Sequence, residues 1–163
     1  MKSSNLFRVI LGVALSCTMI AANASGTSSK AKRTDFETKV LELTNKERAK
    51  AGLGPLVLTD KLCNSAEWKA EDMADRNYFD HADGSGRDFV DRAEQYGYAD
   101  WTFLGENIAA GQQTPEEVVA EWMASPGHRK NILKPQFKEI GLGYADEPHS
   151  SYKRYWVQEF GTR

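Results

Sequence analysis

The hydrophobic period changes in the last part of the chain, and that change narrows the folds open to it. Upstream, apolar residues recur at helical spacing. Ile140-Gly141-Leu142-Gly143-Tyr144 and Tyr155-Trp156-Val157-Gln158-Glu159-Phe160 instead alternate as strands do, with a polar loop containing Pro148 between them. Two runs joined in this way predict an antiparallel pair. Helices first, strands late and no strand–helix–strand alternation predict an α+β layered domain. No internal repeat is visible, and 163 residues suit one domain with a core large enough to fold unaided.

The N-terminus reads as a targeting segment. Lys2 and Arg8 precede an apolar run from Val9 to Ala22, and Ala22-Asn23-Ala24 supplies an A-x-A cleavage site. Residues 1–24 are therefore expected to be a secretory signal peptide and 25–34 a flexible Ser/Gly/Lys-rich leader, leaving 35–163 as the domain. A membrane anchor is the alternative, but the run is shorter than the ~20 residues a span needs, so no stable membrane span is expected. Lipidation at Cys17 is a second alternative; Ala14-Leu15-Ser16 fits a lipobox poorly, and the apolar run continues through Met19 and Ile20. Export follows, to the extracellular space or a periplasm. Cys63 is then the single cysteine of the mature chain, so no intrachain disulfide forms and the fold rests on its core. Cys63 itself reads as a buried, inert thiol. A net charge of -2, with no basic run beyond Lys30-Ala31-Lys32-Arg33, argues against nucleic acid as a partner.

Phe36, Val40 and Leu43 form the stripe of a first helix, with Glu37, Glu42, Lys46, Glu47 and Arg48 on other faces and Gly52 as its left-handed cap. Thr59 or Asp60 opens a second helix, striped by Leu62, Ala66, Ala70 and Met73, with Trp68 off the stripe. From Arg76 to Gly86 the pattern is aperiodic, which puts His81 at a helix end or in a loop. Arg87 to Tyr96 reads as a third helix with Phe89, Ala93 and Tyr96 inward. Thr114, Pro115 and Glu117 make a capped helix start, and Val118, Val119, Trp122 and Met123 follow. Ser125-Pro126-Gly127 is expected to end this helix just before His128.

The chain has three histidines, and two of them bracket Gly105-Glu106-Asn107-Ile108-Ala109. Three readings of His81, Glu106 and His128 stand open. As metal ligands they form a two-His-one-carboxylate set that zinc accepts, with a position left for water. Without metal, Glu106 would orient or charge one histidine for proton transfer. Separate structural roles are the third. His149 lies in a polar loop and reads as solvated. There is no G-x-S-x-G elbow, Walker loop or paired CxxC, and neither Ser85 nor Ser125 has the signature of an activated nucleophile.

Leu43-Thr44-Asn45-Lys46-Glu47-Arg48, Gly52-Leu53-Gly54-Pro55-Leu56, Asp80-His81, Gly105-Glu106-Asn107-Ile108-Ala109, Trp122 through Leu133 with its Gly127-His128-Arg129-Lys130-Asn131-Ile132-Leu133, and Tyr155-Trp156-Val157-Gln158 occur in that order. Together they resemble the CAP superfamily of cysteine-rich secretory proteins, antigen 5 and pathogenesis-related 1 proteins, in a short, disulfide-free bacterial form. The resemblance covers Asp35 to Gly161. It implies a three-layer α-β-α sandwich with a central antiparallel sheet and a cavity holding two histidines and two acidic residues. His81, Glu106 and His128 match three of those four. The fourth, a glutamate three positions after the helix tryptophan, is Ser125 here, and Glu121 precedes Trp122 on another helical face. The resemblance thus implies a divalent metal, zinc first, on two histidines with water and a supporting Glu106. Asn45, Arg48, Arg129 and Asn131 read as scaffold, with Asn45 and Arg48 pinning the first helix to a neighbouring segment.

Three functions are compatible with these features. One is a monomeric extracellular binding module for a peptide, lipid or envelope component, with or without a metal. The others are a metal-dependent hydrolase acting on an amide or ester, and a structural secreted domain without metal.

Overall fold

The computed structural model describes residues 35–163; the expected signal peptide, the leader and Cys17 lie outside the described residues. The elements run α1 (Asp35–Lys50), β1 (Val57–Leu58), α2 (Asp60–Asp75), α3 (Phe89–Gln95), β2 (Phe103–Ala110), α4 (Pro115–Ala124), α5 (Pro126–Ile132), β3 (Glu139–Asp146) and β4 (Arg154–Thr162). Both late alternating runs are strands, and β3 and β4 pair antiparallel as expected. The sheet order is β1-β3-β4-β2. Its one parallel pairing is the two-residue β1 against β3, so the sheet is antiparallel except at that edge. Among the described residues no helix is long and apolar enough to cross a membrane.

Strand alternation sorts the layers. Trp156 and Phe160 of β4 face a core shared with Val40 of α1, Val118, Val119 and Trp122 of α4 and Ile132 of α5. Tyr155 and Val157, one residue out of phase, face Ala66, Ala70 and Met73 of α2. Because the side-chain period of a strand is two, neighbouring residues feed opposite layers. The result is a three-layer sandwich with α1, α4 and α5 on one face and α2 and α3 on the other. Leu62, Ala66, Ala70 and Met73 are all buried, as their spacing requires. So is Cys63, which is a free thiol.

Two helix assignments differ from expectation. Glu37 and Arg48 turn inward beside Val40 and Thr44, so half of the buried face of α1 is charged. Arg48 is 1% exposed and donates to the carbonyls of Gly54 (2.9 Å), Ile132 (2.8 Å), Lys134 (3.1 Å) and Phe137 (3.1 Å). A guanidinium has enough donors to satisfy several loop carbonyls at once, which apolar periodicity cannot reveal. Asn45 assists by exchanging bonds with the backbone N–H and carbonyl of Leu56 (2.8 and 3.1 Å). The second difference lies at Ser125-Pro126-Gly127. Ser125 closes α4 and opens α5, with Pro126 at a first-turn position, so His128 is inside a helix and does not follow one.

Capping behaves as read elsewhere. Gly52 has φ 72°, and Thr114 accepts from the Glu117 N–H at 3.2 Å. Glu117 reaches back one residue further than a standard capping box, to the Gln113 N–H at 2.7 Å. Asp88, one residue later than the predicted helix start, caps α3 by accepting from Val90 and Asp91.

Candidate functional site

Glu106 lies on β2, an edge strand, and points into the α2/α3 layer with 5% exposure. The glycine, alanine and isoleucine around it gave no clean alternation, and the strand was not legible from them. Its oxygens are both engaged: Oε1 lies 2.8 Å from His81 Nδ1, and Oε2 accepts from Arg92 Nη2. Arg92 belongs to α3 and is itself buried.

His81 comes from the loop after α2, and that loop is held by buried polar groups. Lys69 donates to Tyr78 Oη (2.9 Å) and to the Ala82 carbonyl (3.0 Å). Tyr78 in turn donates to Asp72. On the far side, Asp83 accepts from Ser85 and Arg87, and these bonds hold its carboxylate well below the usual range, the Ser85 hydroxyl contributing most. Lys69 has no exposed surface, and burial, aided by the Arg92 charge, pulls its ammonium down to about 8.

His128 is placed from the other layer. Asn131, one turn further along α5, donates to the Glu106 carbonyl (3.1 Å) and to Asn107 Oδ1 (2.9 Å). Asn107 donates to the His128 carbonyl (3.2 Å) and to Gln158 (3.1 Å), and Gln158 continues to Thr44 on α1 (2.8 Å). These amides clamp the first turns of α5 against the edge of β2. His81 and His128 thereby come to the same edge from opposite layers, near enough for the charge of His81 to act on His128.

Their basicities move apart. The hydrogen bond to Glu106 raises His81, against an opposing effect of burial. Burial lowers His128, and the charge of His81 lowers it further. In an NMR titration His81 is expected above its ordinary 6.5 and His128 below it. His81→Ala should move His128 back towards the ordinary value; no movement would show that the rings do not communicate. The stabilisation from the His81–Glu106 contact is fully present below pH 6.5 and is lost as pH rises through the folded-state value of His81.

Behind this site is a charge cluster that the sequence reading missed. Glu106 pairs in register with Glu159 on β4, so two buried carboxylates stand side by side on one face. Arg92 lies between them, donating to Glu159 Oε1 from Nη2 (3.0 Å) and Nε (3.2 Å), and Ser65 adds a bond at 2.9 Å. Arg92 Nη1 and Glu159 Oε2 have no hydrogen-bond partner among the described residues. Burial pushes the Glu159 carboxyl up to about 8, the Arg92 charge opposing and Glu106 adding to the rise. One signal could have found Glu159. It occupies an inward position on the strand face that also carries Tyr155 and Val157, where a carboxylate needs a partner.

Two of the remaining sequence candidates, His149 and Ser85, stay apart from the site. His149 is exposed in the β3–β4 loop, where its N–H donates to Glu147 (3.0 Å). Ser85 serves Asp83. Ser125 and Glu121 do lie near His128, lining with Phe79, Trp122 and Tyr152 a cleft of ≈310 Å³. No group of three His, Cys, Asp or Glu side chains poised to hold a metal occurs among the described residues. With both oxygens of Glu106 committed, the donors open to a ligand are the two imidazoles. They suit a two-imidazole site in which a carboxylate supports one histidine from behind.

Comparison with known proteins bears on the whole domain. The family model of the cysteine-rich secretory protein family (CAP) matches residues 41–160. The uncharacterized protein YkwD of Bacillus subtilis (strain 168) is 47% identical over 134 residues, which are 82% of this chain and 50% of YkwD. The uncharacterized membrane protein YlbC of the same organism is 33% identical over 131 residues, 80% of this chain and 36% of YlbC. The chain therefore spans half or less of these curated relatives. Among solved structures, an extracellular SCP-domain protein from Bacillus anthracis str. Ames superposes with a TM-score of 0.69 at 29% identity, over 78% of this chain and 40% of that one. An outer surface protein from Borrelia burgdorferi gives 0.71 at 23% identity, over 80% and 96%, a likeness of fold alone.

Proposed function

The chain belongs to the CAP, or cysteine-rich secretory protein, family, and from that premise we propose that it acts outside the cytoplasm as a ligand-binding domain. Its polar site takes a divalent cation, zinc first, on His81 and His128, with Glu106 supporting His81 through Nδ1. Export is supported by the signal-like N-terminus and by the likeness to a Bacillus anthracis protein described as extracellular. The observation that carries the binding reading is the state of Glu106. One oxygen orients His81 and the other is held by Arg92, so this carboxylate positions an imidazole and is not free to take a proton from water. That favours a site that holds a ligand over one that hydrolyses it. A bound cation would supply a Lewis-acidic anchor for a ligand oxygen. The chain's own residues contribute the rest: Arg92 fixes Glu106, Glu106 fixes the ring of His81, and Asn131 and Asn107 fix α5.

Calorimetric titration of the protein with zinc tests this directly. His81→Ala and His128→Ala should each abolish binding, and Glu106→Gln should weaken it about 10–100-fold, the usual effect of losing a supporting carboxylate. Binding that survives both histidine changes would remove the shared site. Turnover of a peptide or ester panel that disappears in Glu106→Gln, with the fold intact, would instead favour a hydrolase.

A further inference from the structure

The cleft beside His128 carries chemistry that the two imidazoles leave unused. Its ≈310 Å³ is at the small end of the range for ligand sites. One wall is aromatic. Phe79 and Tyr152 are 42% and 47% exposed, with ring centroids 5.8 Å apart and planes inclined by 53°. Tyr152 also packs edge-on against buried Tyr155 at 6.0 Å, which steadies its ring. The rest of the lining includes a polar set, Gln112, Glu121, Ser125 and His128. Gln112 donates to Glu121 at 2.5 Å, while Gln112 Oε1 is shut off from solvent without a hydrogen-bond partner.

Three ligand classes compete for such a cleft. An extended peptide added to the edge of β2 would need that strand's outward carbonyls. Those of Glu106 and Ile108 are already taken by Asn131 Nδ2 (3.1 Å) and Trp122 Nε1 (3.3 Å). An acyl chain would desolvate the polar set and return no hydrogen bonds. A saccharide satisfies both the aromatic and the polar part of the lining. The C–H face of a pyranose packs on an aromatic ring, and its hydroxyls, each donor and acceptor, suit an amide, a carboxylate and a serine. We propose that this cleft is a saccharide-binding site for a short stretch of neutral pyranose units from a surface polysaccharide. Neutrality follows from Glu121, which would repel an anionic sugar. The assignment rests on the ligand-binding reading above but requires no metal.

The test is an NMR titration of the isotope-labelled protein with cellotetraose and with the N-acetylglucosamine tetramer, each at millimolar concentration. The expected result is saturable shifts confined to Ala110, Gln112, Ser125 and Tyr152. Tyr152→Ala and Phe79→Ala, both at exposed positions, should each weaken binding about tenfold, with the melting temperature measured alongside to show that the fold is kept. Both should leave zinc affinity as it was. Absence of shifts with both oligosaccharides, or shifts undiminished by both substitutions, overturns the proposal. Decanoate and tetra-alanine serve as competing probes. Saturation by either one without a saccharide response overturns the saccharide assignment while the ligand-binding reading stands. Saccharide binding retained when zinc binding proves absent upholds this proposal and removes the metal instead.

Discussion

Gly141→Ala is expected to cost the protein about 3 kcal/mol or more, at or beyond the upper end of ordinary overpacking. A Cβ at Gly141 would lie 2.1 Å from the carbonyl carbon of Leu62 and 2.5 Å from the backbone nitrogen of Cys63. Gly143 repeats the contact one helical turn on, 2.1 Å from the carbonyl oxygen of Ala66. These atoms are helix backbone and not the flexible end of a side chain, so α2 as a whole would have to lift from β3. Lifting it would also open the layer that holds Ala66, Ala70 and Met73 against Tyr155 and Val157. Thermal unfolding of Gly141→Ala and Gly143→Ala should show midpoints lowered by roughly 10 °C or more, or no cooperative transition. Gly127→Ala, where a Cβ meets nothing within 4 Å, is the control and should unfold close to the parent. Gly141→Ala unfolding with the parent would refute the close approach of α2 and β3.

The second large effect belongs to Arg92. Removing one partner of a buried ion pair typically costs about 3–5 kcal/mol, because the other charge is left without compensation. Arg92→Gln should therefore destabilise by that order, with denaturant unfolding as the measure. A double-mutant comparison locates the stranded charge. Burial favours the protonated form of the Glu159 carboxyl, so the stranded charge is expected on its neighbour in the pair. Arg92→Gln with Glu106→Gln should recover more stability than Arg92→Gln with Glu159→Gln. Equal recovery would mean that both carboxylates are ionised beside Arg92.

Glu159 also predicts a slope in the pH dependence of the parent protein. Its folded value is raised from an ordinary 4.5 to about 8, so between these limits the folded state binds the extra proton. Its contribution is complete below pH 4.5 and is lost as pH rises towards 8. Lys69 acts in the next window. Its folded value of about 8 lies below its ordinary 10.5, so its contribution to stability grows from pH 8 to 10.5. Glu159→Gln should flatten the first interval and leave the second in place. A first interval unchanged by that substitution would contradict the assignment.

The layered fold was legible where one face of an element is uniformly apolar. The α2 stripe and the two late strands are such cases. It was illegible where buried surface is polar, and α1 shows why. Arg48 looks like a solvent residue by its charge, yet it is buried because four carbonyls, of Gly54, Ile132, Lys134 and Phe137, converge on its guanidinium. β2 was hidden for a related reason. Both of its faces are buried, so Glu106, Asn107 and Ile108 show no polar-and-apolar alternation. At Pro126 the sequence signal was real but ambiguous, since proline suits the first turn of a helix as well as the break before it.

By itself the sequence determined the class of fold and the family, and it singled out His81, Glu106 and His128 as the residues to look at first. Periodicity and motif order are local properties that survive in a linear string. Only the tertiary structure decided what Glu106 can do. Strand register sets it beside Glu159, α3 brings Arg92 between them, and the loop after α2 delivers His81 to its remaining oxygen. Those partners lie 14, 25 and 53 residues away along the chain, as Arg92, His81 and Glu159 are numbered. No local pattern encodes them, because their interaction arises from the burial of unlike charges in one small volume, and burial is a property of the packed layers.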